Sequence, residues 1–282
     1  MNFHQSPHTF VRQVNLKVQN LDRSLAYYQE VIGFKILNQS ATKAELTTDG
    51  KTALLSIEQL HDALPKQNHT TGLYHFALLL PKRSDLANVV RHFSALNMRI
   101  GSSDHLVSEA LYLSDPDGNG IEIYADRDSD QWSWHEGTVD MATEPLNFTD
   151  LLSSGEQAAW KGLPAGTIMG HIHLHVSRLN EAEQFYTKGL GFEVVNRYGA
   201  QALFISTGKY HHHIGLNTWA GVGAPPPHPK SPGLESFVMV LPNEEARNRV
   251  ISQLREIGAS VQEESGHFVT EDPSGNRIQL HI

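Results

Sequence analysis

Seventeen histidines and no cysteine stand in this chain of 282 residues. Without thiols there are no disulfides, zinc–thiolate sites, iron–sulfur clusters or cysteine nucleophiles. Histidine at this density points to metal or proton chemistry, although many of the rings will be ordinary surface or core residues. Three groups of residues draw attention. His171, His173 and His175 alternate with Ile172, Leu174 and Val176. On a strand all three rings share one face, which is either a set of ligands or a polar, solvated surface. His75 lies in apolar text with Ala77 and Leu79 on its face; alone, such a ring would be a satisfied core residue. Glu122 sits within Ile-Glu-Ile. A buried carboxylate is costly unless paired, so a cation is expected beside it: a metal ion, or a salt bridge to Arg127 or Lys82. The run His211–His213 is followed by strand text. If it is itself a strand, either His212 or the pair His211 and His213 can face a cavity.

The elements that must position these residues repeat along the chain. Leu21–Leu37 (LDRSLAYYQEVIGFKIL) parallels Leu179–Val195 (LNEAEQFYTKGLGFEVV), Leu73–Pro81 parallels Leu234–Pro242, and Asp115–Tyr124 (DPDGNGIEIY) parallels Asp272–His281 (DPSGNRIQLH). Each half splits again. Val11–Val18 alternates as a strand. Leu25, Tyr28 and Ile32 have helical spacing over 22–32, with Asp22 as candidate N-cap and Gly33 as C-cap. Three short strands follow, near Phe34–Leu37, Lys43–Thr47 and Thr52–Ile57. The plan restarts with strands at Tyr74–Leu80, His171–Val176 and Ser236–Leu241, and with helices over 84–96, 180–188 and 243–257. DPDGN and DPSGN are turns before the last strand of their quarters. The expected fold class is α+β: four βαβββ modules, each with a bare sheet face, pairing into two half-barrel sheets around cavities. Modules one and two occupy 1–127, modules three and four 168–282. The intervening 128–167 is too long for a simple linker, and Trp132, Trp134 and Trp160 suggest that it packs on something. The Pro-rich 224–233 reads as an ordinary surface loop, with a lid as the alternative.

Composition excludes other classes. A net charge of −9 argues against nucleic-acid and acidic-membrane partners. Apolar runs such as Phe76–Leu80 are far shorter than a membrane span, and Met1–Phe10 lacks the apolar stretch of a signal peptide. The default is a soluble cytoplasmic protein.

The fourfold βαβββ plan ending in DPDGNGIE resembles the vicinal-oxygen-chelate superfamily of glyoxalases, bleomycin-resistance proteins and extradiol dioxygenases. Within it the chain is most similar to the bacillar catechol 2,3-dioxygenases, through Gly72–Pro81 (GLYHFALLLP), Ser108–Arg127, Gly162–Val176 and Gly208–Trp219 (GKYHHHIGLNTW). The resemblance covers nearly the whole chain.

It implies metal ligands at the first-strand positions Gln13, His75, His171 and Ser236 and the last-strand positions Ser56, Glu122, Gly215 and Gln279. Counting ligands favours pairing modules two and three, within one chain or by swapping between chains. That pairing gives His75, Glu122 and His171 with Gly215 leaving the fourth position empty, a set that suits Fe(II), with Mn(II) also acceptable. This departs from the usual extradiol layout, in which modules three and four carry the ligands. The resemblance further implies His212 as acid–base residue, and His105 and Tyr112 as donors to substrate oxygens. The implied reaction is cleavage of a small aromatic diol by O2 beside its two hydroxylated carbons, catechol giving 2-hydroxymuconic semialdehyde. Alternatives are a glyoxalase-type lyase, a thiol transferase or a metal-free binding protein. Substituents on the ring and the oligomeric state, a homo-oligomer included, stay open.

Overall fold

Strand and helix periodicities meet the same plan four times in the computed structural model, which describes residues 3–155, 159–264 and 266–282. Module one runs β1 (Phe10–Val18), α1 (Leu21–Ala26), β2 (Lys35–Gln39), β3 (Lys43–Thr47) and β4 (Ala53–Gln59). Module two runs β5 (Gly72–Leu79), α2 (Arg83–Ala95), β6 (Gly101–Asp104), β7 (Ser108–Ser114) and β8 (Gly120–Asp126). The connecting segment holds a small hairpin, β9 (Trp134–His135) with β10 (Thr138–Val139), and the short helix α3 (Phe148–Ser153); residues 156–158 of it lie outside the described ones. Module three follows as β11 (Ile168–His175), α4 (Leu179–Gln184), β12 (Glu193–Tyr198), β13 (Ala202–Ser206) and β14 (Ile214–Asn217). Module four is β15 (Gly233–Val240), α5 (Glu244–Glu256), β16 (Val261–Glu264), β17 (His267–Glu271) and β18 (Arg277–His281).

Two eight-stranded sheets result. Their orders are β16-β17-β18-β15-β1-β4-β3-β2 and β12-β13-β14-β11-β5-β8-β7-β6. Module one therefore pairs with four, and module two with three, within a single chain. Antiparallel seams between first strands, β1 with β15 and β11 with β5, join the modules. Phe76, Leu78, Ile172 and Leu174 join helix residues Leu86, Val89 and Phe93 in one buried apolar core. The other face of β5 and β11 is left to His75, Ala77, His171 and His173.

Local chemistry differs from expectation in two places. Asn20, not Asp22, caps the first helix, its Oδ1 accepting the Arg23 N–H at 2.7 Å. That helix is α-helical only to Ala26 and then widens into a π turn over Tyr27–Ile32, a form that module three repeats at Phe185–Gly189. Gly33 ends it at φ +93°, and a Cβ there would lie 2.7 Å from the Trp160 ring. The expected turns are present. Asp115 accepts the N–H groups of Asp117 and Asn119 at 2.9 and 2.8 Å, and Asp272 does the same for Ser274 and Asn276 at 2.8 and 2.9 Å.

The tryptophans of the connecting segment do pack. Trp160 stacks on His92 at 4.2 Å, and Trp132 stacks on Phe3 at 5.6 Å. The N-terminal arm is tied down around them. His213 Nε2 donates to the Phe3 carbonyl at 3.0 Å, and His4 Nε2 to the Gly170 carbonyl at 2.7 Å. Burial pushes His4 down to about 4, against the opposing pull of the Gly170 carbonyl. The unfolded chain, with the ordinary histidine value of about 6.5, takes up this proton first. His4 therefore adds to stability above pH 6.5 and that contribution fades as pH falls toward 4. We expect the wild type to lose about 2 kcal/mol more than His4→Gln between pH 7 and pH 5, read from urea midpoints. Equal losses in the two proteins would contradict this.

Candidate metal centre and active site

Register alone brings three donor residues together. His171 on β11 lies opposite Ala77 on β5, and Ala77 lies opposite Glu122 on β8. The small Ala77 methyl leaves open the space between imidazole and carboxylate. His75, two residues before Ala77, projects from the same face. One donor atom from each of His75, Glu122 and His171 lies within 4.8 Å of the others. Glu122 Oε2 is 3.0 Å from His75 Nε2 and 3.2 Å from His171 Nε2, and all three residues are buried.

A carboxylate 3% exposed demands a counter-charge. Arg127 does not provide it, because its guanidinium forks onto Asp104 at 2.6 and 2.7 Å. Burial raises the Glu122 carboxyl, but the His171 and His75 rings outweigh it and hold the group well below the ordinary carboxylate range. His171 is pushed down to about 4 by burial, despite the pull of Glu122. A neutral ring of this kind carries the lone pair that a metal needs. Among the described residues His75 Nε2 has no aligned hydrogen-bond partner, although Glu122 Oε2 stands 3.0 Å from it. A carboxylate without a fixed cation, a neutral imidazole and an orphaned ring nitrogen fit a divalent metal held by two histidines and one carboxylate.

The fourth position is not open space. Gly215 on β14 lies opposite His173, and a Cβ there would come 2.8 Å from the His173 ring. His173 is turned away from ligation by Asn217, whose Nδ2 donates to His173 Nε2 at 2.9 Å. Asn217 Oδ1 in turn accepts from His175 Nδ1 at 2.7 Å and from the Trp219 N–H at 3.0 Å. The three alternating histidines thus share one face, as expected, but only His171 joins Glu122.

Around the triad stand the other expected residues. Tyr112 on β7 is the partner of Glu122 across the ladder. Burial and the Glu122 charge raise its hydroxyl well above the ordinary range, so it stays a donor. His105 Nδ1 donates to the Ala142 carbonyl at 2.6 Å, which leaves Nε2 to accept the Tyr112 hydroxyl at 2.6 Å. His212 packs on His171, ring centres 4.1 Å apart. The run 211–213 precedes β14 in a turn, so strand alternation does not apply to it. All three rings are buried, each toward a different partner: Asp126, the metal-side His171, and Phe3.

Sequence reasoning missed Asp126 and Asn217, and held His211 only as an alternative to His212. Asp126 had a signal, since it lies four residues beyond Glu122 on the same strand face. A cavity of about 570 Å³ leads from His75 and Tyr112 to a mouth walled by Tyr74, Trp219, Pro227 and Leu234. Lys66 lines it with its charge engaged, Nζ donating to the Gly118 carbonyl at 2.6 Å and to Asn119 Oδ1 at 3.1 Å.

The superfamily described as Glyoxalase/Bleomycin resistance protein/Dioxygenase matches residues 10–123 and 168–280. The chain belongs to that superfamily. It is 46% identical over 279 residues to the catechol-2,3-dioxygenase of Bacillus subtilis (strain 168), covering 97% of this chain and 98% of that protein. A putative dioxygenase from Bacillus subtilis shares the fold at TM-score 0.64 and 13% identity, over 96% of this chain and 84% of that one. Glyoxalase I from Zea mays does so at 0.56 and 15%, over 96% and 92%. The chain is thus a catechol-2,3-dioxygenase-like superfamily member with its three converging donors in modules two and three. No helix among the described residues is long and apolar enough to cross a membrane.

Because His173 fills the space beside Gly215, Gly215→Ala should force the ring aside and destabilise the fold by about 1–3 kcal/mol. Calorimetry checks this; an unchanged melting temperature would show that the ring moves freely.

Proposed function

We propose that this chain is an extradiol dioxygenase that opens a catechol ring beside its two hydroxylated carbons, with His75, Glu122 and His171 holding Fe(II). The carrying observation is the buried carboxylate facing two histidines, with no lysine or arginine paired to it among the described residues, in a chain 46% identical to a catechol-2,3-dioxygenase. One carbon–carbon bond of the ring breaks and both atoms of O2 enter the product, catechol giving 2-hydroxymuconic semialdehyde. Iron held by these three residues would supply Lewis-acid and electron-transfer chemistry toward the diol and dioxygen. Mn(II) would accept the same donors.

The protein's own groups handle position and protons. Tyr112 keeps its proton, which it donates to His105 Nε2, and its hydroxyl oxygen accepts from a diol hydroxyl of the substrate on the Glu122 side. His105, fixed by the Ala142 carbonyl, orients that hydroxyl. His212, packed on His171, takes and returns the proton of a diol hydroxyl. Phe204, beside the His212 ring at 5.0 Å, and the aromatic cluster of Phe3, Trp132 and Tyr210, packed on His211, keep water from these rings. The glyoxalase-type reading wants a carboxylate at both last-strand positions, and Gly215 under His173 provides none. We place the protein in the cytoplasm, as a soluble enzyme.

The cavity walls favour uncharged diols. Among the described residues no arginine lines it, and Lys66 is already engaged. A carboxylate on the ring would lose hydration without a bidentate partner. Anaerobically purified protein reloaded with Fe(II) should turn catechol yellow in air-saturated buffer and consume one O2 per ring. 4-Methylcatechol should match catechol in kcat/KM, and 3,4-dihydroxybenzoate should fall at least about tenfold below it, the order of a lost charge-assisted contact. No oxygen uptake by iron-replete protein with any of the three would contradict the proposal.

A further inference from the structure

A chain of hydrogen bonds runs away from His212 through His211 and Asp126, to which the proposed mechanism gives no part. Asp126 projects from β8 on the face of Glu122 and Tyr124. Its Oδ1 lies 2.8 Å from His211 Nε2, and its Oδ2 lies 3.1 Å from the Tyr210 hydroxyl. Tyr210 also shares a proton with Tyr124 at 2.7 Å. On the other side of the His211 ring, Nδ1 lies 2.8 Å from Nδ1 of His212. His211 is fully buried, with its ring centre 4.1 Å from that of Tyr210 and 5.1 Å from that of Trp132. It has little room to turn.

The protons in this chain follow from what each atom can do. A carboxylate only accepts, so the proton between Asp126 and His211 belongs to His211 Nε2. A neutral His211 then has a bare lone pair at Nδ1. Two ring nitrogens 2.8 Å apart share one proton, which must come from His212 Nδ1. His212 Nε2 is left without a proton, on the ring that packs against His171.

We propose that Asp126 and His211 are positioning residues that set the tautomer of His212, so that its Nε2 stands ready to accept a proton from the substrate. Asp126 acts through His211 and touches no reacting atom. The functional part rests on the preceding reading of His212; the tautomer itself does not. In Asp126→Asn the Tyr210 hydroxyl occupies the amide oxygen, and the amide N–H donates to His211 Nε2. Both rings then reverse, and His212 presents an N–H where a lone pair is needed.

The test uses the full chain, 15N-labelled at histidine and loaded with Zn(II) as a diamagnetic stand-in. Long-range proton–nitrogen NMR distinguishes the tautomers, and spectra of His211→Phe and His212→Phe assign the two rings. The expected result is an Nε2–H ring at His211 and an Nδ1–H ring at His212, both reversed in Asp126→Asn. With Fe(II), Asp126→Asn should keep its metal content and KM while kcat falls by about 100-fold, the scale of a lost acid–base group; Asp126→Glu should recover part of the loss. An Nε2–H or doubly protonated His212 in the wild type, or unchanged tautomers in Asp126→Asn, would overturn the proposal. If Asp126→Asn does not fold, the wild-type spectrum decides. Correct tautomers in a protein that cleaves no catechol would count against the proposed function alone, and catechol cleavage with the wrong tautomers against the relay alone.

Discussion

The buried negative charge of Glu122, inside the concave face of one sheet, organises this molecule. Glu122 is buried on β8 among apolar neighbours, and the nearby arginine is committed elsewhere. Such a charge is tolerable only where strands from a second module bring compensating groups. The seam between β5 and β11 does this by setting His171 and Glu122 on either side of Ala77. The connecting segment completes the environment. Its Ala142 carbonyl orients His105, and Trp132 covers His211.

The other sheet shows what the same scaffold does without that charge. Its equivalent positions are Gln13, Ser56, Ser236 and Gln279, beside a cavity of about 420 Å³. Asn15 joins them: Gln13 Nε2 donates to Asn15 Oδ1 at 2.8 Å, while Asn15 Nδ2 and Gln279 Nε2 both donate to Ser236 Oγ, at 2.9 and 3.0 Å. The amides and hydroxyl satisfy one another and call for no cation. Two halves of one repeat thus reach polar balance by different means, one with amides and a hydroxyl bonded to one another, the other with a buried carboxylate facing two imidazoles.

Much of this was legible in the residues. Strand alternation and the DPDGN and DPSGN turns carry the module plan, because period-two patterning and Asx chemistry are local. The convergence of His75, Glu122 and His171 was legible because first-strand and last-strand positions repeat with the module. What escaped depends on chain segments outside the repeat or on side chains acting at a distance. The turn before β14 breaks the alternation that would have sorted His211 from His212. Asn20 displaces Asp22 as cap because the helix begins two residues earlier than a cap at Asp22 requires. Asn217 and the Gly215–His173 contact are cross-strand events, fixed by the register of β14 on β11.

The most direct test of the account is metal stoichiometry under anaerobic conditions. Titration with Fe(II) should saturate the wild type at one ion per chain. Glu122→Gln should bind at least about tenfold more weakly, the lower end of the loss seen when a metal site's carboxylate support is removed, and Gln279→Ala in the twin cavity should bind as the wild type does. Wild-type affinity in Glu122→Gln, or loss of the ion in Gln279→Ala, would contradict the claim that the buried carboxylate of modules two and three holds the metal.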